Sequence, residues 1–296
     1  MLGLNWGYQV SDRYSVSINL HERLVKPKSL SSYKIPLDSV DGLVTQLSLI
    51  EPDVVIHTAG ITSIEVCEKN NELADHVNTR FPINICKACK QLGIPLVHIS
   101  TDNLFDGTIP LVNEEHSINP LNYYGVTKAR AEEGIMDCYS DVLIIRTNFF
   151  GWGPTYKPSF SDAIINALRQ GKTLSLFEDV FYTPILMSDL INTTHELLEN
   201  GHRGVFNVVG DERLSKHAFG CKLANIFDYD ITLINSGRLK DMKALTTRPY
   251  DMSMSNEKVT RLLGRSIGNI DAQLVRLKQE ENLTRVRAIH EIDSLR

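Results

Sequence analysis

Pro95-Leu96-Val97-His98-Ile99-Ser100-Thr101-Asp102 is an apolar run that ends in two hydroxyls and a carboxylate. Its length and apolar character predict a buried strand, and open parallel sheets hold their ligands at the carboxyl ends of such strands. Similar runs predict strands over residues 14–18, 53–58 and 142–146, with helical patterns between them over 2–11, 41–49, 71–92 and 123–136. Strand and amphipathic helix in alternation specify an α/β fold: a doubly wound parallel sheet covered on both faces. After Gly151-Trp152-Gly153-Pro154 the composition shifts. Strands are expected over 173–177 and 204–209, and helices over 159–169, 188–199, 216–226 and 270–287. The expected organisation is a core over 1–150 and a smaller α/β lobe over 151–296 that mainly binds substrate.

The bulk composition narrows the chemistry. A chain of 296 residues, 42% hydrophobic and 23% charged, can bury a large core. A formal net charge of -5 without blocks of like charge argues against nucleic acid as a partner. No apolar run approaches the roughly 20 residues that span a bilayer, so a membrane is not an expected partner either. The cysteines, Cys67, Cys86, Cys89, Cys138 and Cys221, are odd in number and lack framework spacing, which points to a reducing cytoplasm. Cys86 and Cys89 form a Cys-x-x-Cys, but inside a helical pattern and without a second ligand pair. They read as buried helix residues, and no metal site is expected.

Tyr124 and Lys128 stand four apart in Tyr123-Tyr124-Gly125-Val126-Thr127-Lys128, which puts both on one face of a helix. A phenol ordinarily titrates near 10, and an ammonium beside it is expected to pull that value down toward neutrality. Tyr124 then serves as general acid toward a carbonyl or base toward an alcohol. Thr101, at the end of its strand, can donate to the same oxygen. The loop Asn103-Leu104-Phe105-Asp106-Gly107 supplies amide, aromatic and acid groups suited to a sugar with several hydroxyls.

His98-Ile-Ser-Thr-Asp-Asn-Leu-Phe-Asp-Gly107, Pro120-Leu-Asn-Tyr-Tyr-Gly-Val-Thr-Lys128 and Leu143-Ile-Ile-Arg-Thr-Asn148 together resemble the extended short-chain dehydrogenase/reductases, in particular the dTDP-4-dehydrorhamnose reductase branch. Pro52-Asp53-Val54-Val55-Ile56-His57-Thr58-Ala59-Gly60, Tyr182-Thr183-Pro184 with Asp189, Gly204-Val205-Phe206-Asn207 and Arg248-Pro249 with Asp251 extend the resemblance over nearly the whole chain. It implies a Rossmann-like core and an NADPH- or NADH-dependent reduction of a nucleotide-linked 4-keto-6-deoxy sugar, in nucleotide-sugar and polysaccharide metabolism. Carried over by position, it implies Thr101, Tyr124 and Lys128 as catalytic, with Tyr124 and Lys128 also on the cofactor. Gly3, Asp38, Ser39, Ala59, Gly60 and Asn78 are implied on the cofactor, and Thr101, Asp102 and Phe149 on the substrate. Phe149 stands where the branch has Trp, which weakens rhamnose as the specific sugar. A homodimer is compatible with the resemblance.

The chain departs from that pattern at its start. Met1-Leu2-Gly3 resembles the end of a Gly-x-x-Gly-x-x-Gly turn, with Gly3 as the third glycine and the first strand and two glycines lacking. Two readings follow: a truncated or mis-started version of a complete reductase, or a structural or regulatory relative without cofactor binding, as the regulatory β subunit of methionine adenosyltransferase resembles this branch. Intact Thr101, Tyr124 and Lys128 favour the first. With no Asp after the strand near Tyr14, and with Arg23 and Lys26 nearby, NADPH is favoured over NADH.

Overall fold

The computed structural model describes all residues except 21–26, 28–29, 243 and 293–296. Arg23 and Lys26, expected at a 2′-phosphate, therefore lie outside the described residues. The main sheet takes strands β3 (Val55–His57), β4 (Leu96–Ile99), β5 (Val142–Arg146) and β6 (Gly204–Asn207), all parallel and side by side in the order β6-β5-β4-β3. β1 (Ser17–Asn19) and β2 (Ser31–Tyr33) form a separate parallel pair. Among the described residues, β3 has β4 as its strand partner, and β1 has β2.

Alternation along the strands sorts side chains onto two faces. Val97, Ile99, Leu143 and Ile145 point to one face, where Leu2, Trp6 and Val10 of α1 (Leu2–Val10) and Leu190 and Ile191 of the helix Met187–Glu199 cover them. Leu96, Val142 and Ile144 point to the other. There they meet Leu43 and Leu47 of α2 (Val40–Ile50), Ile85, Cys86, Ala88 and Cys89 of α3 (Phe81–Leu92), and Ile135 of α4 (Tyr123–Cys138). The sheet is thus doubly wound, as expected, and Cys86 and Cys89 are fully buried helix residues.

The second half builds its own core around Phe150, Trp152, Tyr182, Phe219 and Leu274. Its strands are short pieces: Phe149–Phe150 pairs with Ile185–Leu186, Phe181–Tyr182 with Leu214–Ser215, and Leu174–Phe177 with Ile234–Gly237. β6, however, returns from this half to the main sheet beside β5.

Two expected helices are interrupted. The pattern over 71–92 contains a π-helical turn at His76–Arg80 just ahead of Pro82, whose ring nitrogen offers no N–H and crowds the preceding turn. The pattern over 270–287 divides into Ile270–Glu280 and Thr284–Glu291, because Leu283 adopts an extended conformation at φ -69°, ψ 144°. The buried ion pair of Arg146 and Glu132 ties β5 to α4, with Arg146 Nη2 to Glu132 Oε2 at 2.7 Å.

Candidate active site

β4 ends at Ile99, and the chain turns through Ser100-Thr101-Asp102-Asn103 across the amino end of α4. Asn122 caps that helix by accepting the Gly125 N–H at 3.0 Å. Gly125 permits the approach: a Cβ there would fall 2.3 Å from the Asn103 carbonyl oxygen. The close contact brings the strand-end hydroxyl to the helix phenol. Thr101 and Tyr124 are both buried, and the Thr101 hydroxyl lies close enough to act on the Tyr124 phenol. The Thr101 hydroxyl also donates to Asp102 Oδ1 at 3.3 Å. Asp102, 2% exposed, accepts from Asn103 Nδ2 at 2.8 Å and from Asn148 Nδ2.

Lys128 shares the buried face of α4 with Tyr124, as the spacing predicts, but its ammonium turns toward the sheet. Its Nζ lies 2.8 Å from the Ile99 carbonyl oxygen, to which it donates, and 2.9 Å from His98 Nε2. The expected lowering of the Tyr124 pKa is therefore not found. Burial pushes the phenol well above its ordinary value, the nearby Thr101 hydroxyl opposes that rise, and the charges of Asp102 and Cys67 add to it. Tyr124 stands as a protonated phenol at neutral pH. Burial pulls Lys128 down to about 8, with Glu132 opposing. Asp102 is raised, by burial first, against the bonds and charges of Asn148, Lys216, Asn103 and Thr101.

The other implied residues are spread around the carboxyl end of β3. A Cβ on Gly3 would lie 2.9 Å from Thr58 Oγ1, so the glycine lets α1 pack closely on the chain leaving β3. Met1 stands at the amino end of α1 without a side-chain capping hydrogen bond. Ala59 is exposed, and Gly60 would set a Cβ 3.2 Å from Asn78 Oδ1. Asn78 is 1% exposed and spends both polar ends on protein: Oδ1 accepts from Ile61 N at 2.8 Å, while Nδ2 donates to Ile61 O at 3.0 Å and Thr127 Oγ1 at 3.2 Å. It braces the loop after β3 against α4. Asp38 is exposed and meets His76 Nε2 at 2.9 Å, and Ser39 caps α2 by accepting from Gly42 N. Phe149 is half-buried, three residues past the end of β5.

Residues 16–282 match the RmlD substrate binding domain model. The chain belongs to the RmlD substrate binding domain family. A probable low-salt glycan biosynthesis reductase of Haloferax volcanii is 30% identical over 251 residues, 83% of each chain. The dTDP-4-dehydrorhamnose reductase of Salmonella typhimurium is 27% identical over 230 residues, 75% of this chain and 74% of that one. The methionine adenosyltransferase 2 subunit beta of Bos taurus is 25% identical over 60% of this chain and 55% of its own. Among solved structures, a dTDP-4-dehydrorhamnose reductase from Bacillus anthracis in complex with NADP superposes with a TM-score of 0.80, covering 94% of this chain and 97% of that one at 22% identity. A hypothetical dTDP-4-dehydrorhamnose reductase from Sulfolobus tokodaii gives 0.78 at 28% identity, covering 91% and 94%.

Within this family frame, the geometry adds residues to which the sequence patterns assigned no role. Asn148 holds Asp102 from the end of β5. Lys216 reaches in from the second lobe, its Nζ 3.3 Å from the centroid of the Tyr182 ring and 4.9 Å from that of Phe160. Burial pulls Lys216 down to about 8, and the Asp102 carboxylate opposes that fall. The detectable signal for His98 was a histidine inside an otherwise apolar strand. Among the described residues no helix is long and apolar enough to cross a membrane.

Proposed function

We propose that this chain reduces a nucleotide-linked 4-keto-6-deoxy sugar, with Thr101, Tyr124 and Lys128 as its catalytic residues. The observation that carries the reading is the close approach of the buried Thr101 and Tyr124 side chains at the carboxyl end of the sheet, beside the Asp102 carboxylate. The cofactor is NADPH or NADH, which when bound supplies the hydride. Gly3 and Gly60, beside the carboxyl end of β3, are among the residues that would hold it.

As hydride reaches the carbonyl carbon, the Tyr124 phenol gives its proton to the carbonyl oxygen, and the Thr101 hydroxyl donates a second hydrogen bond to the same oxygen. Burial keeps Tyr124 protonated, which is the form a reduction consumes. The phenolate left behind lies on the same helix face as the Lys128 ammonium. Asp102, Phe149 and Lys216 line the sugar, and residues 151–296 mainly hold the substrate against the core of 1–150.

The alternative, a structural subunit like the methionine adenosyltransferase relatives, rests on likenesses covering 60% to 75% of this chain at 24–25% identity. Such a role gives no chemical reason for the hydroxyl pair. The test is oxidation of NADPH or NADH in the presence of a dTDP-4-keto-6-deoxyhexose, with a free hexose as control. Turnover of the nucleotide sugar alone is expected. No turnover with any nucleotide-linked keto sugar would remove the reductase reading.

A further inference from the structure

β3 and β4 pair so that His57 stands opposite His98, and the parallel register places both imidazoles on the face covered by α4. The rings stack at 5.2 Å between centroids and 10° between planes, with Nδ1 to Nδ1 at 3.1 Å. His98 is 0% and His57 5% exposed. On its other side, His98 Nε2 meets Lys128 Nζ at 2.9 Å. These contacts form one continuous chain from Lys128 to His57 Nε2, which bonds to no other described residue.

A neutral imidazole carries one N–H and one lone pair, and an ammonium has three donors and no acceptor. Lys128 as an ammonium can donate to His98 only if Nε2 holds the lone pair, which puts the His98 proton on Nδ1. That proton needs an acceptor, so His57 Nδ1 must hold a lone pair and the His57 proton must sit on Nε2. Each tautomer fixes the next.

We propose that His57 and His98 are positioning residues that form a tautomer-locked pair, which holds Lys128 as an oriented cation by presenting it with a lone pair instead of a counter-charge. The proposal rests on Lys128 being catalytic. With His98 Nε2 and Ile99 O taking two of its N–H bonds, the third is left for the reacting site. Burial depresses His57 to about 3 and His98 well below its ordinary value, with the Lys128 charge adding to both and His57 to His98, so neither imidazole competes for the charge. The other charged groups around Lys128 are Glu132 on α4, held by Arg146 of β5; Tyr124 and Cys67 lie on the site side. When Lys128 loses its proton near pH 8, its amine can accept, and both tautomers can reverse without either ring becoming charged.

Long-range 15N–1H correlation on uniformly labelled protein reads these tautomers directly, with His57→Asn and His98→Gln spectra giving the assignments. The expected result at pH 7 is His98 protonated on Nδ1 and His57 on Nε2, both reversing together as pH rises through about 8. His98 protonated on Nε2 at pH 7, or either ring charged there, overturns the proposal. In kinetics, His57→Leu frees His98 to present an N–H to Lys128, so the alkaline limb of kcat/KM should move down by about one pH unit although His57 does not touch Lys128. The same change in a His98→Gln background should move it no further, since the Gln carbonyl oxygen accepts without a partner. An equal shift in both backgrounds overturns the lock. Should the protein reduce no nucleotide sugar, the catalytic reading of Lys128 falls, while the tautomers still decide whether the pair is locked.

Discussion

Tyr124 carries the sharpest residue-scale expectation. Tyr124→Phe removes one hydroxyl and no ring volume, so kcat should fall by about 10²–10⁴ while the unfolding midpoint changes little. The reading is sunk if the variant keeps a substantial share of wild-type turnover. Tyr124 and Lys128 were legible in the sequence because a four-residue spacing on a helix fixes a shared face before any tertiary contact exists. What Lys128 touches was not legible. Its partner His98 comes from a strand 30 residues upstream, and whether an amine turns to a phenol or to an imidazole depends on how far the helix sits from the sheet. The raised Tyr124 pKa follows from the same fact, because burial acts on the phenol and the groups that move it are Thr101, Asp102 and Cys67.

At the scale of elements, the fit between the loop after β4 and the start of α4 decides whether Thr101 and Tyr124 meet. Gly125→Ala would drive a methyl into the Asn103 carbonyl oxygen, a backbone atom that cannot rotate away. It should destabilise the protein by about 1–3 kcal/mol and lower kcat, as the loop carries Thr101 off the phenol. Gly134→Ala on the same helix is the control. Its Cβ would meet the tip of the Ile83 side chain at 2.5 Å, which can move, so a smaller loss of stability and an unchanged kcat are expected. Thermal midpoints and steady-state rates on both variants decide the matter, and equal kcat losses would show that Gly125 has no special part. The long core strands and most helices were legible from their apolar periods. The pieces at Phe149–Phe150, Ile185–Leu186 and Leu214–Ser215 were not, since two residues cannot display a period and only their partners define them. The break between Glu280 and Thr284 was hidden for a related reason: the apolar period continues through it while the backbone turns.

For the whole molecule, the buried histidines set the response to acid. An unfolded chain protonates His57 near 6.5, whereas the folded chain holds it neutral down to about 3, and His98 is depressed in the same direction. At these two rings the unfolded state therefore binds more protons across that window, and their contribution to stability falls as pH drops below 6.5. At pH 5 His57 should cost about 2 kcal/mol relative to neutral pH, and His98 should add a loss of the same sign. Urea unfolding at pH 7 and pH 5 should show this loss, and His98→Gln should show a smaller one. A wild-type protein as stable at pH 5 as at pH 7, with the variant unchanged from it, would mean that the imidazoles are not held neutral.

β6 gives the molecule another property. The chain leaves the main sheet after β5, builds part of the second lobe, comes back to lay a strand against β5, and then departs again to complete that lobe. The two lobes are therefore stitched, with more than one covalent crossing between them. A single linker lets domains swing and fold as separate beads, but crossings in parallel resist swinging and permit mainly a twist. A protease cut near residue 150 would consequently release no free core, because residues 204–207 would still be sewn into the sheet.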